Sequence, residues 1–222
     1  MILSNTQPAL AAPPSPASPE NLLPETWFGV PVWSRSIIDH TTLNARLLDA
    51  VARLQSETPS IHRSNVGGWH SAANLHRHAD FTPLRRIVER TSLGCAHHLG
   101  FDFDKADLVF QGMWANNNGP GDYNRSHIHP NAFLSGTYYV KAPPESGNIE
   151  FYDPVRERAM YAFPTKPEAM ARKKLEYRCR DGLLLIFPSW LSHSVQANRS
   201  NDTRISIAFN IEVAPKRAPR SL

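Results

Sequence analysis

Asp181-Gly182-Leu183-Leu184-Leu185-Ile186-Phe187-Pro188-Ser189-Trp190-Leu191-Ser192-His193 is the stretch on which the fold turns. A short apolar run bounded by Gly182 and Pro188 has the length of a buried strand rather than of a helix. Pro188 cannot donate to a ladder, so the strand stops there and the chain turns. A buried strand accounts for residues 183 to 187 but not for the polar residues after them. Ser189, Ser192 and His193 come after the turn, so the returning strand carries a histidine to a polar rim at the open end of a barrel.

The next segment, Thr203-Arg204-Ile205-Ser206-Ile207-Ala208-Phe209-Asn210-Ile211, alternates strictly. Side chains on a strand point to opposite faces in turn, so Arg204, Ser206, Ala208 and Asn210 share one face and the apolar residues share the other. An arginine directed into a barrel needs an anion, and a guanidinium with a hydroxyl two residues on can grip one carboxylate of a small organic acid together. Upstream, His127-Ile128-His129-Pro130 places two imidazoles at strand spacing, so both face inward around an outward Ser126 and a core-directed Ile128. With His193 from a distant strand they make one side of a metal's coordination sphere. Seven other histidines include His70, His76 and His78, and His97 and His98 read as surface positions on a helix.

Around these segments the texture is mainly β. Strands are expected at about 107–115, 125–129, 133–142, 147–152, 174–180, 183–188, 192–197 and 203–213, and Trp33 lies in a proline-broken apolar run that suits an edge strand. Two amphipathic helices precede the strands. The first, about 41–57, has Leu43, Leu47, Leu48, Val51 and Leu54 on one face and Thr41 or Thr42 at its cap. The second runs from a Thr82 N-cap and Pro83 to about His98, burying Leu84, Ile87, Val88 and Leu93, and Gly100 ends it. Between them, Gly67-Gly68 permits backbone conformations or approaches closed to other residues. The expectation is a helix-flanked double-stranded β-helix, a cupin-like jelly roll.

The chain of 222 residues, 41% hydrophobic, suffices for one core. A Pro/Ala/Ser-rich leader (1–20), one domain (21–213) and a basic tail (214–222) are expected. The net charge of +4 is scattered apart from Arg172-Lys173-Lys174 and the tail, which points away from nucleic acid. The proline-broken leader has neither the basic start of a signal peptide nor the length of a membrane span, and Cys95 and Cys179 are too few for a disulfide framework. A cytoplasmic protein without a membrane partner is the expectation.

The order His127-Ile128-His129, His193, then ten residues, then Arg204-Ile205-Ser206 resembles the iron(II) and 2-oxoglutarate-dependent oxygenases. With Ser64 to Ser71, His127-Ile128-His129-Pro130, Leu134-Ser135-Gly136-Thr137-Tyr138-Tyr139, Phe187-Pro188-Ser189-Trp190 and Arg204 to Asn210, the chain is similar over about residues 22–213 to a bacterial and phage branch of that superfamily. The resemblance implies a double-stranded β-helix and oxidation of a small molecule or peptidyl side chain by O2, coupled to conversion of 2-oxoglutarate to succinate and CO2. It makes His127 and His193 Fe(II) ligands, and Arg204 with Ser206 the holder of 2-oxoglutarate, with Tyr139 and Asn116 further cofactor contacts. Adjacent Tyr138 and Tyr139 cannot both face inward. Trp114 is another candidate to line the cavity.

This chain departs from the superfamily where it has His129, since that position usually carries a carboxylate. Three neutral imidazoles leave the iron one negative charge short but still able to take an anionic keto acid. Asp153 or Glu150 are the alternative third ligands, or the position is open; a bulky His129 speaks against halide binding. Two other functions stay open: a cupin-like three-histidine dioxygenase without a keto acid, which leaves Arg204 and Ser206 idle, and a non-catalytic metal-binding module. No glutamate adjoins the histidine pair to act as base in zinc hydrolysis. Selectivity is expected from loops 59–81 and 154–173, while substrate and oligomeric state have no motif.

Overall fold

A computed structural model describes residues 29–155 and 174–216. The chain divides into Met1–Val30 and Pro31–Leu222, and the fold is that of the second unit. Two helices are followed by a two-sheet jelly roll. β1 (Trp33–Ser36) precedes α1 (His40–Glu57), β2 (Asn65–Val66), β3 (Trp69–His70) and α2 (Thr82–His98). The remaining strands are β4 (Ala106–Asn118), β5 (Tyr123–His127), β6 (Leu134–Lys141), β7 (Ile149–Tyr152), β8 (Lys174–Tyr177), β9 (Leu183–Pro188), β10 (His193–Val195) and β11 (Arg204–Pro215). All eight strands expected after residue 100 are present.

One sheet has the order β1-β9-β6-β11-β4-β3 and the other β2-β5-β10-β7-β8. The strand pairs are antiparallel. From β4 onward the chain passes repeatedly from one sheet to the other, the winding of a double-stranded β-helix. Earlier it crosses from β2 to β3 through Gly67 and Gly68, both with positive φ (69° and 64°). A Cβ on Gly68 would lie 2.7 Å from the Asn117 carbonyl oxygen, so that crossing needs glycine.

Alternation along the six-stranded sheet separates its two faces. Leu134, Tyr138, Leu184, Ile186, Ile207 and Phe209 point to the helices and pack with Leu47, Val51, Leu84 and Val88 in the core. Tyr138 donates from its hydroxyl to Asn44 Oδ1 at 2.6 Å, and Asn44 Nδ2 donates to the Val140 carbonyl at 2.7 Å, so α1 is tied to β6 by a satisfied polar pair inside an apolar layer. The other face belongs to the barrel interior.

Several local expectations need correction. Neither Thr41 nor Thr42 caps α1; Asp39 occupies the cap in the left-handed region (φ 57°) without a side-chain hydrogen bond. Thr82 is already helical, and Phe81 is the cap of α2. Leu93 is 43% exposed, and Ser92, Cys95 and Ala96 are buried instead, because the helix turns its small residues to the sheet. Gly100 does stop α2, with φ 73° and its N–H donating to the His97 carbonyl at 3.0 Å. The last strand runs to Pro215, past the expected 213. The leader, residues 156–173 of the expected selectivity loop, Arg172, Lys173 and tail residues 217–222 lie outside the described residues. Lys174 pairs with Glu150 and Glu176. No helix among the described residues is long and apolar enough to cross a membrane, and Cys95 and Cys179 are both free and buried.

Candidate metal centre and anion clamp

Strand pairing brings the histidines together. β10 pairs with β5 so that His193 lies opposite His127, and the register slips between His193 and Val195. His129 lies beyond the end of β5, where its N–H donates to the Ser189 carbonyl at 3.0 Å. The turn after Pro188, where the chain crosses from one sheet to the other, thus holds the backbone of the third histidine in place. Ring centroids are 4.3 Å apart for His127 and His193, 4.9 Å for His127 and His129, and 5.1 Å for His129 and His193. The three offer ligand atoms within 4.8 Å of one another. Ile128 is 46% exposed rather than core-directed, since two inward histidines leave the residue between them on the outer side with Ser126.

Ring polarity suits a metal. His127 Nδ1 lies 2.7 Å from the Arg125 carbonyl and His193 Nδ1 lies 2.9 Å from the Leu191 carbonyl, so each Nδ1 donates and leaves Nε2 as the lone-pair nitrogen. Burial lowers the pKa of His127. Burial first, then the neighbouring His127, lowers His129 to about 4, and the same two causes help bring His193 to about 3. At neutral pH all three rings are uncharged, the form that binds a metal. The two carboxylates considered as ligands are not in the group. Glu150 accepts from Lys174 (2.5 Å), Gln196 (2.8 Å), Ser194 and Tyr152 (both 3.0 Å). Burial alone would raise its pKa, but those donors outweigh it and hold the carboxylate at about 2. Asp153 Oδ1 accepts from the Val155 N–H at 3.0 Å.

Arg204 is 1% exposed. Its Nη1 donates to the Ser146 carbonyl and, at 3.2 Å, to the Gln196 carbonyl, whereas Nη2 is buried with no protein partner among the described residues. Burial lowers its pKa, opposed by Tyr139, Cys179 and Asp122. A buried cation with one unmatched donor edge is a site made for an anion. Register places Ser206 between Asn116 on β4 and Tyr139 on β6, a row across three strands beside Arg204. Asn116 Oδ1 is also buried without a partner among the described residues. Of the two tyrosines, Tyr139 faces inward; burial, then Cys179, raise its hydroxyl pKa well above the ordinary value.

Metal group and clamp line one cavity of about 560 Å3, within the usual range for a small-molecule site. The wall includes Trp114 and Thr137 and, from the 59–81 loop, Arg63, Ser64, His70 and Ala73. Sequence alone gives His70 no role, because its inward position depends on β3 pairing with β4 opposite Asn116. The double glycine before it is the available signal.

Residues 112–210 match the model of a family described as "Putative 2OG-Fe(II) oxygenase". Over these residues the barrel is similar to that family. Solved structures agree on the fold. The non-heme alpha-ketoglutarate-dependent epimerase SnoN from nogalamycin biosynthesis aligns with TM-score 0.61 at 13% identity, covering 85% of this chain and 79% of its own. A Pseudomonas putida prolyl-4-hydroxylase aligns with TM-score 0.59 at 13% identity, covering 85% and 94%. HygX from Streptomyces hygroscopicus, solved with nickel, 2-oxoglutarate and hygromycin B, gives 0.58 at 12% identity over 84% and 83%. No curated protein matches the chain by sequence.

Proposed function

We propose that this double-stranded β-helix is an active Fe(II)- and 2-oxoglutarate-dependent dioxygenase that oxidises a small molecule or a peptidyl side chain, with release of succinate and CO2. One observation carries the reading: three uncharged imidazoles and a buried arginine whose Nη2 has no partner among the described residues share a single cavity. A metal-binding module has no use for that arginine, and neither has a three-histidine dioxygenase without a keto acid.

His127, His129 and His193 would hold the iron, which supplies the activation of O2 when 2-oxoglutarate is bound. Arg204 would take the far carboxylate of 2-oxoglutarate through Nη2, with the Ser206 hydroxyl and the Asn116 amide beside it. The Arg125 and Leu191 carbonyls fix two of the rings, so Nε2 is presented without reorganisation. Trp114, Phe187 and Ile149 exclude water from the interior. A cytoplasmic setting and a single domain over 21–213 complete the proposal.

Anaerobic protein with Fe(II) and 2-oxoglutarate, then exposed to air with ascorbate, should form succinate. His127→Ala should reduce that to background while leaving the thermal unfolding midpoint of the metal-free protein near that of the unmodified chain. Oxygen consumption that proceeds equally without 2-oxoglutarate would overturn the assignment.

A further inference from the structure

His70 is a buried polar group of the cavity that neither metal nor co-substrate accounts for. It is buried on β3, held opposite Asn116 of β4, and lines the cavity. Its Nδ1 lies 2.7 Å from the carbonyl oxygen of Ser71, so Nδ1 carries the hydrogen and Nε2 keeps a lone pair. Here the second nitrogen finds no hydrogen-bond partner among the described residues.

Its position relative to the metal group is set by rings. His70 stacks on Trp114 with centroids 5.8 Å apart and planes 15° from parallel, and Trp114 meets His129 at 5.6 Å. Thus the wall runs His70, Trp114, His129. Arg63 also lines the cavity, is exposed, and lies close enough for its charge to act on His70. A cationic head group would meet that guanidinium, so the ring nitrogen is set to receive a neutral donor rather than an ammonium.

We propose that His70 Nε2 is the substrate-recognising acceptor of this cavity, and that the substrate carries an uncharged O–H or N–H donor one Trp114 ring away from the carbon that is oxidised. The inference rests on the dioxygenase reading for its statement about oxidation. The hydrogen bond itself does not depend on turnover.

Binding of three probes on one scaffold separates the two. Benzyl alcohol, benzyl methyl ether and benzylamine are titrated into protein with 15N-labelled histidine, loaded with Zn(II) and 2-oxoglutarate, and followed by the His70 Nε2 resonance and by Kd. The alcohol should move that resonance as an accepted hydrogen bond does, and bind about three- to tenfold more tightly than the ether, the fold-change of one net hydrogen bond. Protonated benzylamine should bind more weakly than the alcohol. His70→Phe, which keeps a stacking ring, should bring alcohol and ether to equal affinity, and His70→Gln, which can return an acceptor oxygen, should restore part of the preference. Equal affinities in the unmodified protein, no binding of any probe, a preference that survives His70→Phe, or tightest binding of the amine would each overturn the proposal. Should His70→Phe fail to fold, the resonance in the unmodified protein decides. Missing succinate release together with a His70-dependent preference would refute the dioxygenase reading and spare the acceptor.

Discussion

The two faces of the six-stranded sheet are made from alternate residues of the same strands, yet they do different work. Toward the helices lie Leu134, Tyr138, Ile207 and Phe209, a packed apolar layer. Toward the cavity lie Thr137, Tyr139, Arg204 and Ser206, buried polar groups of which Arg204 keeps a donor without a partner among the described residues. The outer layer supplies the free energy that keeps the inner one in place, since a buried guanidinium without its anion opposes folding. Side-chain period two therefore lets stability and chemistry be altered separately.

His193→Ala on the cavity side should show the largest effect on chemistry: loss of stoichiometric Fe(II) binding by equilibrium dialysis, and of succinate release, with little change in the unfolding of metal-free protein. On the helix side, Phe209→Ala should cost about 3–5 kcal/mol in urea denaturation, with keto-acid affinity unchanged in the remaining folded protein. A parallel fall in 2-oxoglutarate affinity would break the separation of faces. Gly136→Ala should destabilise by about 1–3 kcal/mol, because its new methyl would meet the Phe209 ring and lie 2.5 Å from the Leu185 carbonyl oxygen. The adjacent tyrosines give the sharpest small test. Tyr138→Phe strands the buried Asn44 and should lower stability by about 1–3 kcal/mol without altering 2-oxoglutarate binding. Tyr139→Phe should weaken 2-oxoglutarate binding, read by isothermal titration, by about two- to tenfold.

The five-stranded sheet adds a pH-dependent contribution. Glu150 in the folded protein titrates at about 2, below the ordinary 4.5. Its stabilisation is complete above about pH 4.5 and is lost as pH falls toward 2, the sign for a carboxylate with a depressed folded pKa. Urea midpoints of Glu150→Gln should therefore vary less between those limits than those of the unmodified chain. An unchanged slope would show that the Lys174, Gln196, Ser194 and Tyr152 contacts do not stabilise its charge.

Much of this is legible in the chain. Strict alternation from Arg204 to Asn210 sets one face against the other, and the spacing of His127, His129 and His193 anticipates that the three imidazoles cluster. What escapes depends on partners far away in sequence. Period two puts Ser126 and Ile128 on one side, so an outward Ser126 takes Ile128 with it, and the core expected for Ile128 is solvent instead. Which residue caps a helix depends on how the chain enters it, and Asp39 in a left-handed conformation leaves no pattern to read. His70 gains its position from a two-residue strand, too short for any periodicity.

Arg204 also fastens the barrel. It springs from one sheet, while the Ser146 and Gln196 carbonyls that hold its Nη1 belong to the loops flanking the other, and a Cβ on Gly147 would lie 2.8 Å from that nitrogen. Half of the guanidinium is thus mortar between two walls, and the other half is a hook that no described residue takes. Under the proposed role of Arg204, a descendant chain that traded its keto acid for another co-substrate would have to re-lay that joint first, so the appetite for a dicarboxylate should be among the last traits of this fold to drift.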